Sequence, residues 1–393
     1  MNKASLCVDV GYQSLNKYGE ELCGDRVEVL APNDNSTVVV MADGLGSGVK
    51  ANILSTLTAK IISTMLAQDM SLLDCVSAIA ATLPVCSVRG IAYSTFSIIH
   101  ILNNTHAQII QYDNPHIVLL RDGKHVEFAT SAEEIEGKTI YKSEIPLQEN
   151  DTFIAFSDGV EHAGVGRTLN FGWQRKDIIR FMEGLYKNEY AAKMLTTVLL
   201  EQCAILYDGR PGDDATVCTV KVRRRSPLNL LIGPPQDPKD VNTMLSLFFG
   251  KAGKHVVCGG TTAALAAEFL GKTLKTGLPE YIDPEIPPIA SIDGVDLVTE
   301  GVITINKVLA YCQDFLNDNR QYYDWNKKKD GASLIAHILL EEATDINFFV
   351  GRAINPAHQN PELPISFSIK MRLVEELVDT LEKMGKRVKA SYF

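Results

Sequence analysis

The sequence lacks the features that would mark a membrane protein, a secreted protein or a zinc ribbon. It contains no run of about 18 uninterrupted apolar residues, so we expect no membrane-spanning helix. The first five residues lead into a short strand-like run broken by Gly11, which is too short for the core of a signal peptide. None of the eight cysteines forms a C-x-x-C pair, which argues against a zinc ribbon.

Positive charge is also scarce. The formal net charge is −10, so long-range repulsion would oppose non-specific binding to nucleic acid, and we expect no nucleic-acid partner. Most cysteines lie in apolar segments, as Cys218 does, which is typical of buried, reduced thiols. Together these observations predict a cytoplasmic protein without a membrane association.

The composition is ordinary for a globular protein, and the pattern of predicted strands and helices changes along the chain. The chain has 393 residues, of which 46% are hydrophobic and 22% charged, enough for two or three domains with real cores. Residues 1–222 are rich in strand-like runs and hairpin turns, with helical periodicity over Val49–Ala67 and Ala191–Tyr207. Predicted hairpins pair Ser94–His100 with Ala107–Tyr112, and Ile117–Leu120 with Val126–Ala129. This order favours antiparallel sheets with helices packed outside them.

The pattern changes at a basic run that ends in Pro227. We interpret residues 223–228 as a linker. Beyond it, strands and helices alternate from residue 229 to residue 393, which predicts a separate α/β domain. Its role is not evident from the sequence, and ligand sensing is one interpretation.

Three acidic motifs share one design, because each places an aspartate at the end of an apolar strand. Asp43 and Asp158 follow strands and precede glycine, whereas Asp213 stands just before a strand. Any one of them is more often an ordinary turn. Several carboxylates gathered at sheet edges are costly to desolvate, and a divalent cation such as Mg²⁺ or Mn²⁺ would offset that cost.

Four segments carry a resemblance to a known family. They are Cys23-Gly24-Asp25, the run from Ala42 to Ala51 containing D-G-L-G-S-G, Phe156 to Glu161, and Gly212 to Val217. Over residues 1–222 the chain resembles the PPM metal-dependent serine/threonine protein phosphatases, in the bacterial branch typified by stage II sporulation protein E. The resemblance implies an α+β fold, in which a sandwich of two antiparallel β-sheets is flanked by helices.

The resemblance also implies a chemistry and a set of ligands. A water activated by two Mn²⁺ or Mg²⁺ ions would hydrolyse phosphoserine or phosphothreonine on a protein substrate, in bacterial signalling. Asp43 would bridge the ions, Gly44 would offer its carbonyl, and Asp158 and Asp213 would hold the second ion. Asp25 matches an early acidic position of the family. Asp214 is expected either to support the site or to lie at the surface.

One departure from the family pattern concerns the general acid. Eukaryotic relatives carry a histidine just after the bridging Asp-Gly, where this chain has Leu45. His162, close to Asp158, is a candidate replacement, and a solvated loop histidine is the alternative. The glycines at 44, 46 and 48 do not match the dinucleotide motif G-x-G-x-x-G.

The C-terminal domain offers a second candidate site. Gly259, Gly260, Thr261 and Thr262 lie between a predicted strand and a predicted helix, where free N–H groups attract anions. We therefore predict binding of a phosphate-bearing ligand at these four residues, the alternative being a tight turn with Thr261 as N-cap. Segments Asp293–Gly301 and Arg352–Pro364 could converge on the same pocket.

Two other functions stay open at this point. The chain could be a non-catalytic, phosphatase-like signalling module whose C-terminal domain senses a phosphate- or nucleotide-bearing ligand. It could also be an enzyme centred on Gly259–Thr262, with the first domain regulatory. A homodimer is among the assemblies that we allow for.

Overall fold

The computed structural model describes residues 6–393 except 83–93, 136, 278–287, 318, 320 and 354–364. The chain divides into two compact units, residues 1–224 and residues 225–393. Within the described residues, every helix is either too short or too polar to cross a bilayer.

The strands of the first unit form two sheets in which all pairings are antiparallel. The strands are β1 Leu6–Leu15, β2 Asp25–Asn33, β3 Ser36–Gly44, β4 Ser94–Leu102, β5 His106–Tyr112, β6 Val118–Arg121, β7 Lys124–His125, β8 Ser131–Ile135, β9 Lys138–Pro146, β10 Thr152–Phe156 and β11 Ala215–Arg224. One sheet has the order β1-β11-β10-β6-β7, and the other has the order β2-β3-β4-β5-β9-β8.

Helices cover both outer faces of this sandwich. They are α1 Gly48–Leu66, α2 Leu72–Thr82, α3 Asp158–Glu161, α4 Arg175–Leu185 and α5 Ala192–Leu206. One core lies between the sheets and combines side chains such as Val39 and Phe153. A second core joins α1 and α2 to the six-stranded sheet, and a third joins α4 and α5 to the five-stranded sheet. The predicted α+β sandwich of two antiparallel sheets flanked by helices is therefore confirmed.

The run Val38–Ala42 of β3 shows why the sequence forms this architecture. All five side chains are at most 2% exposed, because the strand has a helix on one face and the opposite sheet on the other. Val38 and Val40 pack toward α1, whereas Val39 and Met41 enter the core between the sheets. Each such side chain contributes about 1.5–3 kcal/mol of burial free energy. The apolar run ends at Asp43, which sets that carboxylate at the rim of the core.

Two local predictions are wrong. Gly11 does not break the first strand, since β1 continues through it and a Cβ there would lie 2.2 Å from the backbone nitrogen of Lys193. The glycine instead permits α5 to approach the strand closely. The partner of β6 is the two-residue strand Lys124–His125, and Val126–Ala129 is not a strand.

The second unit is built on one mixed sheet. Its strands are β12 Pro227–Ile232, β13 Lys254–Cys258, β14 Lys275–Thr276, β15 Ala290–Ser291, β16 Leu297–Thr299, β17 Asp345–Val350 and β18 Arg387–Tyr392. Its helices are α6 Val241–Phe249, α7 Gly260–Leu270, α8 Val302–Leu316, α9 Tyr322–Lys327, α10 Gly331–His337 and α11 Ile365–Lys383. Since β11 ends at Arg224 and β12 begins at Pro227, only two residues of the predicted linker lie outside strands.

Five strands of this sheet are parallel and run in the order β16-β13-β12-β17-β18. Numbered along the chain they read 3-2-1-4-5, which is a doubly wound order. Helices α6 and α7 pack on the sheet through Met244, Phe248 and Ala266, while α8, α10 and α11 pack against one another. The C-terminal region is thus an α/β unit, a fold class that hosts many unrelated functions.

Candidate metal centre

The first part of the site is a pair of aspartates on neighbouring strands. Asp25 begins β2 and stands directly opposite Asp43, near the end of β3. Asp25 is only 4% exposed, and its Oδ2 has no hydrogen-bond partner among the described residues. Burial raises the pKa of both carboxyls well above the ordinary range, and neighbouring carboxylates raise that of Asp43 further.

Asp158 reaches the same place from the other sheet. It starts α3 directly after β10, and hydrogen bonds fix this junction to the beginning of β11. The Ser157 amide donates to the Thr216 carbonyl at 3.0 Å, and the Thr216 amide donates to Ser157 Oγ at 2.9 Å. Burial raises the pKa of Asp158, which the charge of Asp213 raises further. The two aspartates therefore share one electrostatic environment.

Asp213 and Asp214 have different surroundings although they are adjacent. The side chain of Asp213 is 38% exposed, with the Lys17 ammonium 3.9 Å away. Asp214 is 4% exposed and accepts the Lys17 amide at 2.9 Å, while its Oδ2 has no described partner. Of the two expectations for Asp214, the surface position is wrong, because this side chain is buried beneath the Gly24 segment.

The glycine after each strand-end aspartate is required by close packing. A Cβ on Gly44 would lie 2.1 Å from the Ala51 carbonyl oxygen, and one on Gly159 would lie 2.0 Å from the Asp214 carbonyl oxygen. Neither glycine has a positive φ, unlike Gly46 and Gly48. The glycines of these Asp-Gly pairs thus allow two backbone segments to approach each other closely.

The structure brings all four predicted aspartate ligands into one electrostatic neighbourhood. The carboxylates of Asp25, Asp158 and Asp213 each raise the pKa of Asp43. The ligand atoms of Asp158, His162 and Asp213 lie within 4.8 Å of one another. Buried carboxylate oxygens without a donor are the atoms that a hard divalent cation would neutralise, so the residues fit Mg²⁺ or Mn²⁺.

Several supporting groups had no signal in the sequence. The Tyr207 hydroxyl donates to the Gly159 carbonyl at 2.6 Å and so holds the turn that carries Asp158. Thr216 Oγ1 lies 2.7 Å from Ser14 Oγ, which ties β11 to β1 beside the site. The charge of Asp113, in the loop after β5, also raises the pKa of Asp158. These residues are distant in the chain, and only the folded topology identifies them.

The residues of the predicted C-terminal site lie between β13 and the first turn of α7, as expected, and only the alternative of an N-cap at Thr261 is wrong. Gly259, with φ of 109°, is the N-cap of α7 and has no side-chain cap, so Thr261 does not cap the helix. Gly260 and Thr261 are exposed, whereas Thr262 is 1% exposed. The Gly259 amide donates to the Thr299 carbonyl at 2.8 Å, which places this loop beside residues 299–301. Most of the segment 352–364 lies outside the described residues.

Comparison with known proteins places the first unit in a family. The model of the Stage II sporulation protein E (SpoIIE) family matches residues 33–223. No curated protein matches the chain. Among solved structures, the chain is similar to the PP2C phosphatase domain, with a fragment of the regulatory domain, of SpoIIE from Bacillus subtilis. The identity is 21% and the TM-score 0.48, and the match covers 57% of this chain and 65% of that one.

Two further solved structures are similar to this chain. The RsbU and RsbW domains of Rv1364c from Mycobacterium tuberculosis are 17% identical, with a TM-score of 0.48, over 61% of this chain and 68% of that one. The catalytic domain of the serine/threonine phosphatase PstP, in complex with two manganese ions, is 17% identical with a TM-score of 0.39. That match covers 56% of this chain and all of the other. The family match places residues 33–223 of this chain among the SpoIIE-like PPM phosphatases.

Proposed function

We propose that the N-terminal unit is a metal-dependent phosphatase that removes phosphate from phosphoserine or phosphothreonine on a protein partner in bacterial signalling. The observation that carries the proposal is the approach of Asp25, Asp43, Asp158 and Asp213, from four separate segments, to one place. The four carboxylates repel one another, and no described cation lies close enough to Asp43 to form an ion pair. A site of this kind is costly for stability and fits a role in binding divalent cations.

The chain supplies the ligands and holds them in place. Asp43 would contact both of the two expected ions, and Asp158 and Asp213 would hold the second. Asp25, directly opposite Asp43 on β2, would serve as a further ligand, either directly or through a water. When bound, Mn²⁺ or Mg²⁺ would activate a water for attack on phosphorus and offset the charge on the phosphoryl oxygens.

A cysteine nucleophile is disfavoured by the surroundings of Cys23. This thiol lies beside the site, with Sγ 3.8 Å from Thr216 Oγ1. Burial raises its pKa to about 12, and the neighbouring Asp25 carboxylate adds to that effect. Because the thiolate is the reactive form, this shift disfavours Cys23 as a nucleophile. Hydrolysis by an activated water is therefore the mechanism that this site favours.

One assay tests the proposal directly. The purified chain is given p-nitrophenyl phosphate or a phosphoserine protein, with Mn²⁺ or with a chelator. We expect turnover that requires metal and falls by at least about 100-fold in Asp43→Ala and Asp158→Ala, since each removes a ligand. Asp177→Ala, a half-exposed aspartate of α4 that pairs with Arg180, is the matched control and should keep full activity. Absence of turnover under every metal condition would favour the non-catalytic module instead.

In the non-catalytic alternative, a ligand site in the C-terminal unit has the regulatory role. We also propose that this site senses a phosphate-bearing molecule. It would bind at Gly259, Gly260 and Thr261, where the first turn of α7 has no side-chain cap. Titration calorimetry with inorganic phosphate and ATP tests this. Thr261→Ala should weaken binding several-fold, while Thr276→Ala, an exposed threonine of β14, should not. No heat of binding with either probe would remove the sensor.

A further inference from the structure

The fourth residue after Asp158 is placed to act together with it. The His162 amide donates to the Asp158 carbonyl at 2.9 Å, which closes one helical turn. Residues four apart on a helix share a face, so the imidazole and the carboxylate project to the same side. Asp213 approaches that side from the loop before β11.

The distances within this trio match shared coordination better than a hydrogen bond. His162 Nδ1 lies 3.9 Å from Asp158 Oδ2, beyond hydrogen-bond range. One ligand atom from each of Asp158, His162 and Asp213 lies within 4.8 Å of the other two. A cation held at about 2.0–2.2 Å from nitrogen and oxygen ligands keeps neighbouring ligand atoms roughly 3–4 Å apart.

Charge and access favour a cation in this position. The Lys17 ammonium is 3.9 Å from Asp213, and both of these side chains are more than a third exposed, so the pair is weakly held. The charge of Arg175 acts on Glu161, the neighbour of His162 in the chain, and its guanidinium donates to the His116 and Ile117 carbonyls. The His162 side chain is 57% exposed and therefore reachable by an incoming ion.

We propose that His162 supplies a nitrogen ligand to the cation held by Asp158 and Asp213, a role that rests on the metal centre proposed above. Magnesium demands oxygen ligands in near-ideal octahedral geometry, whereas imidazole suits transition metals such as zinc and iron; manganese is mainly oxygen-bound but, as a transition metal, tolerates an imidazole better than magnesium does. An imidazole in the ligand set therefore biases this subsite toward transition metals and away from magnesium. The competing structure is a simple imidazolium–carboxylate pair between His162 and Asp158.

Electron spin-echo spectroscopy of the full chain loaded with one equivalent of Mn²⁺ distinguishes the two. A coordinated imidazole gives nitrogen modulation in the manganese signal. We expect the modulation in the wild type and its loss in His162→Gln. His106→Gln is the matched control, because this histidine is exposed at the start of β5 and contacts Thr105. The control should keep the modulation.

Calorimetric titrations give the second readout. His162→Gln should weaken Mn²⁺ binding by about 10–100-fold, while Mg²⁺ affinity changes by less than about 3-fold. Manganese that binds without nitrogen modulation in the wild type, modulation that persists in His162→Gln, or equal losses for both metals would overturn the proposal.

The outcome is separable from that of the phosphatase assay. Metal-dependent turnover that Asp43→Ala abolishes, with no nitrogen modulation, would leave the phosphatase standing and remove the histidine ligand. Nitrogen modulation that depends on His162, in a chain without phosphatase turnover, would support the histidine ligand and remove the phosphatase. No manganese binding at millimolar concentration would overturn both proposals.

Discussion

Asp25 and Asp43 face each other directly across β2 and β3. Like charges in opposed positions of an antiparallel pair destabilise it, and here the pair is also largely buried. The pairing of β2 with β3 is therefore electrostatically unfavourable at Asp25 and Asp43, where the candidate metal site begins. This relationship predicts that the metal-free protein is less stable than its fold alone would allow.

Asp43→Asn should stabilise the metal-free protein, with an effect that grows with pH. Burial and neighbouring carboxylates raise the folded-state pKa of Asp43 above 3.8, so the folded state holds its proton more tightly than the unfolded state. Stability then falls as pH rises from the ordinary pKa toward the raised one. Thermal unfolding in a chelator should show an advantage of about 2 kcal/mol for Asp43→Asn near neutral pH that shrinks toward about pH 4.

Added Mn²⁺ supplies the control for this prediction. It should raise the melting temperature of the wild type and leave that of Asp43→Asn nearly unchanged. A difference between the two proteins that stays constant from acidic to neutral pH would contradict the electrostatic explanation.

Gly44→Ala should destabilise the N-terminal unit because its Cβ would lie 2.1 Å from the Ala51 carbonyl oxygen. The strand or α1 must move, at a cost of about 1–3 kcal/mol or more, and the Asp43 carboxylate would move with it. Gly184→Ala, in α4 with open space around it, is the matched control and should be neutral or stabilising by up to about 1 kcal/mol. Urea unfolding followed through Trp173 fluorescence measures both; equal effects would rule out the packing argument.

Tyr207→Phe should loosen the turn that carries Asp158. The lost hydroxyl leaves the buried Gly159 carbonyl without its 2.6 Å donor, which costs about 1–3 kcal/mol. We expect lower stability and weaker Mn²⁺ binding, measured by urea unfolding and calorimetry. Tyr18→Phe is the control, since Tyr18 is 65% exposed. Unchanged metal affinity in Tyr207→Phe would mean that Asp158 is held without this bond.

In the second unit, Glu342→Gln should remove a pH-dependent stabilisation. The His337 imidazole, 3.3 Å away, and the Lys254 ammonium lower the pKa of Glu342 to about 2, while Glu342 raises that of His337. The stabilisation that arises from the lowered pKa of Glu342 is fully present above pH 4.5 and is lost as pH falls toward 2. The stabilisation that arises from the raised pKa of His337 is fully present below pH 6.5 and is lost as pH rises through that raised pKa.

Between those limits both stabilisations operate, so Glu342→Gln should cost most there, about 1–2 kcal/mol after solvent screening. Fluorescence of the fully buried Trp325 reports this unit in a Trp173→Phe background. Lys389→Gln, on the last strand, is a control for loss of surface charge alone. A cost that is the same at every pH would contradict the coupling.

Asp43 and Asp158 could be singled out from the sequence as candidate ligands because each stands where an apolar run stops. The strand before Asp43 is buried on both faces, so its end is visible as a change from valine and alanine to aspartate. Asp214 gave no such signal, since its burial depends on the Gly24 segment that packs over it from another strand. The need for glycine at position 44 was also not visible in the sequence, because it arises from the close approach of α1 to this residue.

Elements with polar sequences were the ones missed in the fold. Most of β8 is exposed, so it shows no alternation that would distinguish it from a loop. The helix α3 is a single turn, too short for periodicity to reveal. The predicted strand Val126–Ala129 is a loop, and Lys124–His125 pairs with β6 in its place.

The cysteines have a practical consequence for following these units separately. Cys218 in the first unit and Cys258 and Cys312 in the second are free, fully enclosed thiols, and burial raises the pKa of each to about 12. An alkylating reagent can reach them only when the surrounding sheet opens. Pulsed labelling followed by peptide mass analysis would therefore time the opening of each unit within the intact, unmodified chain.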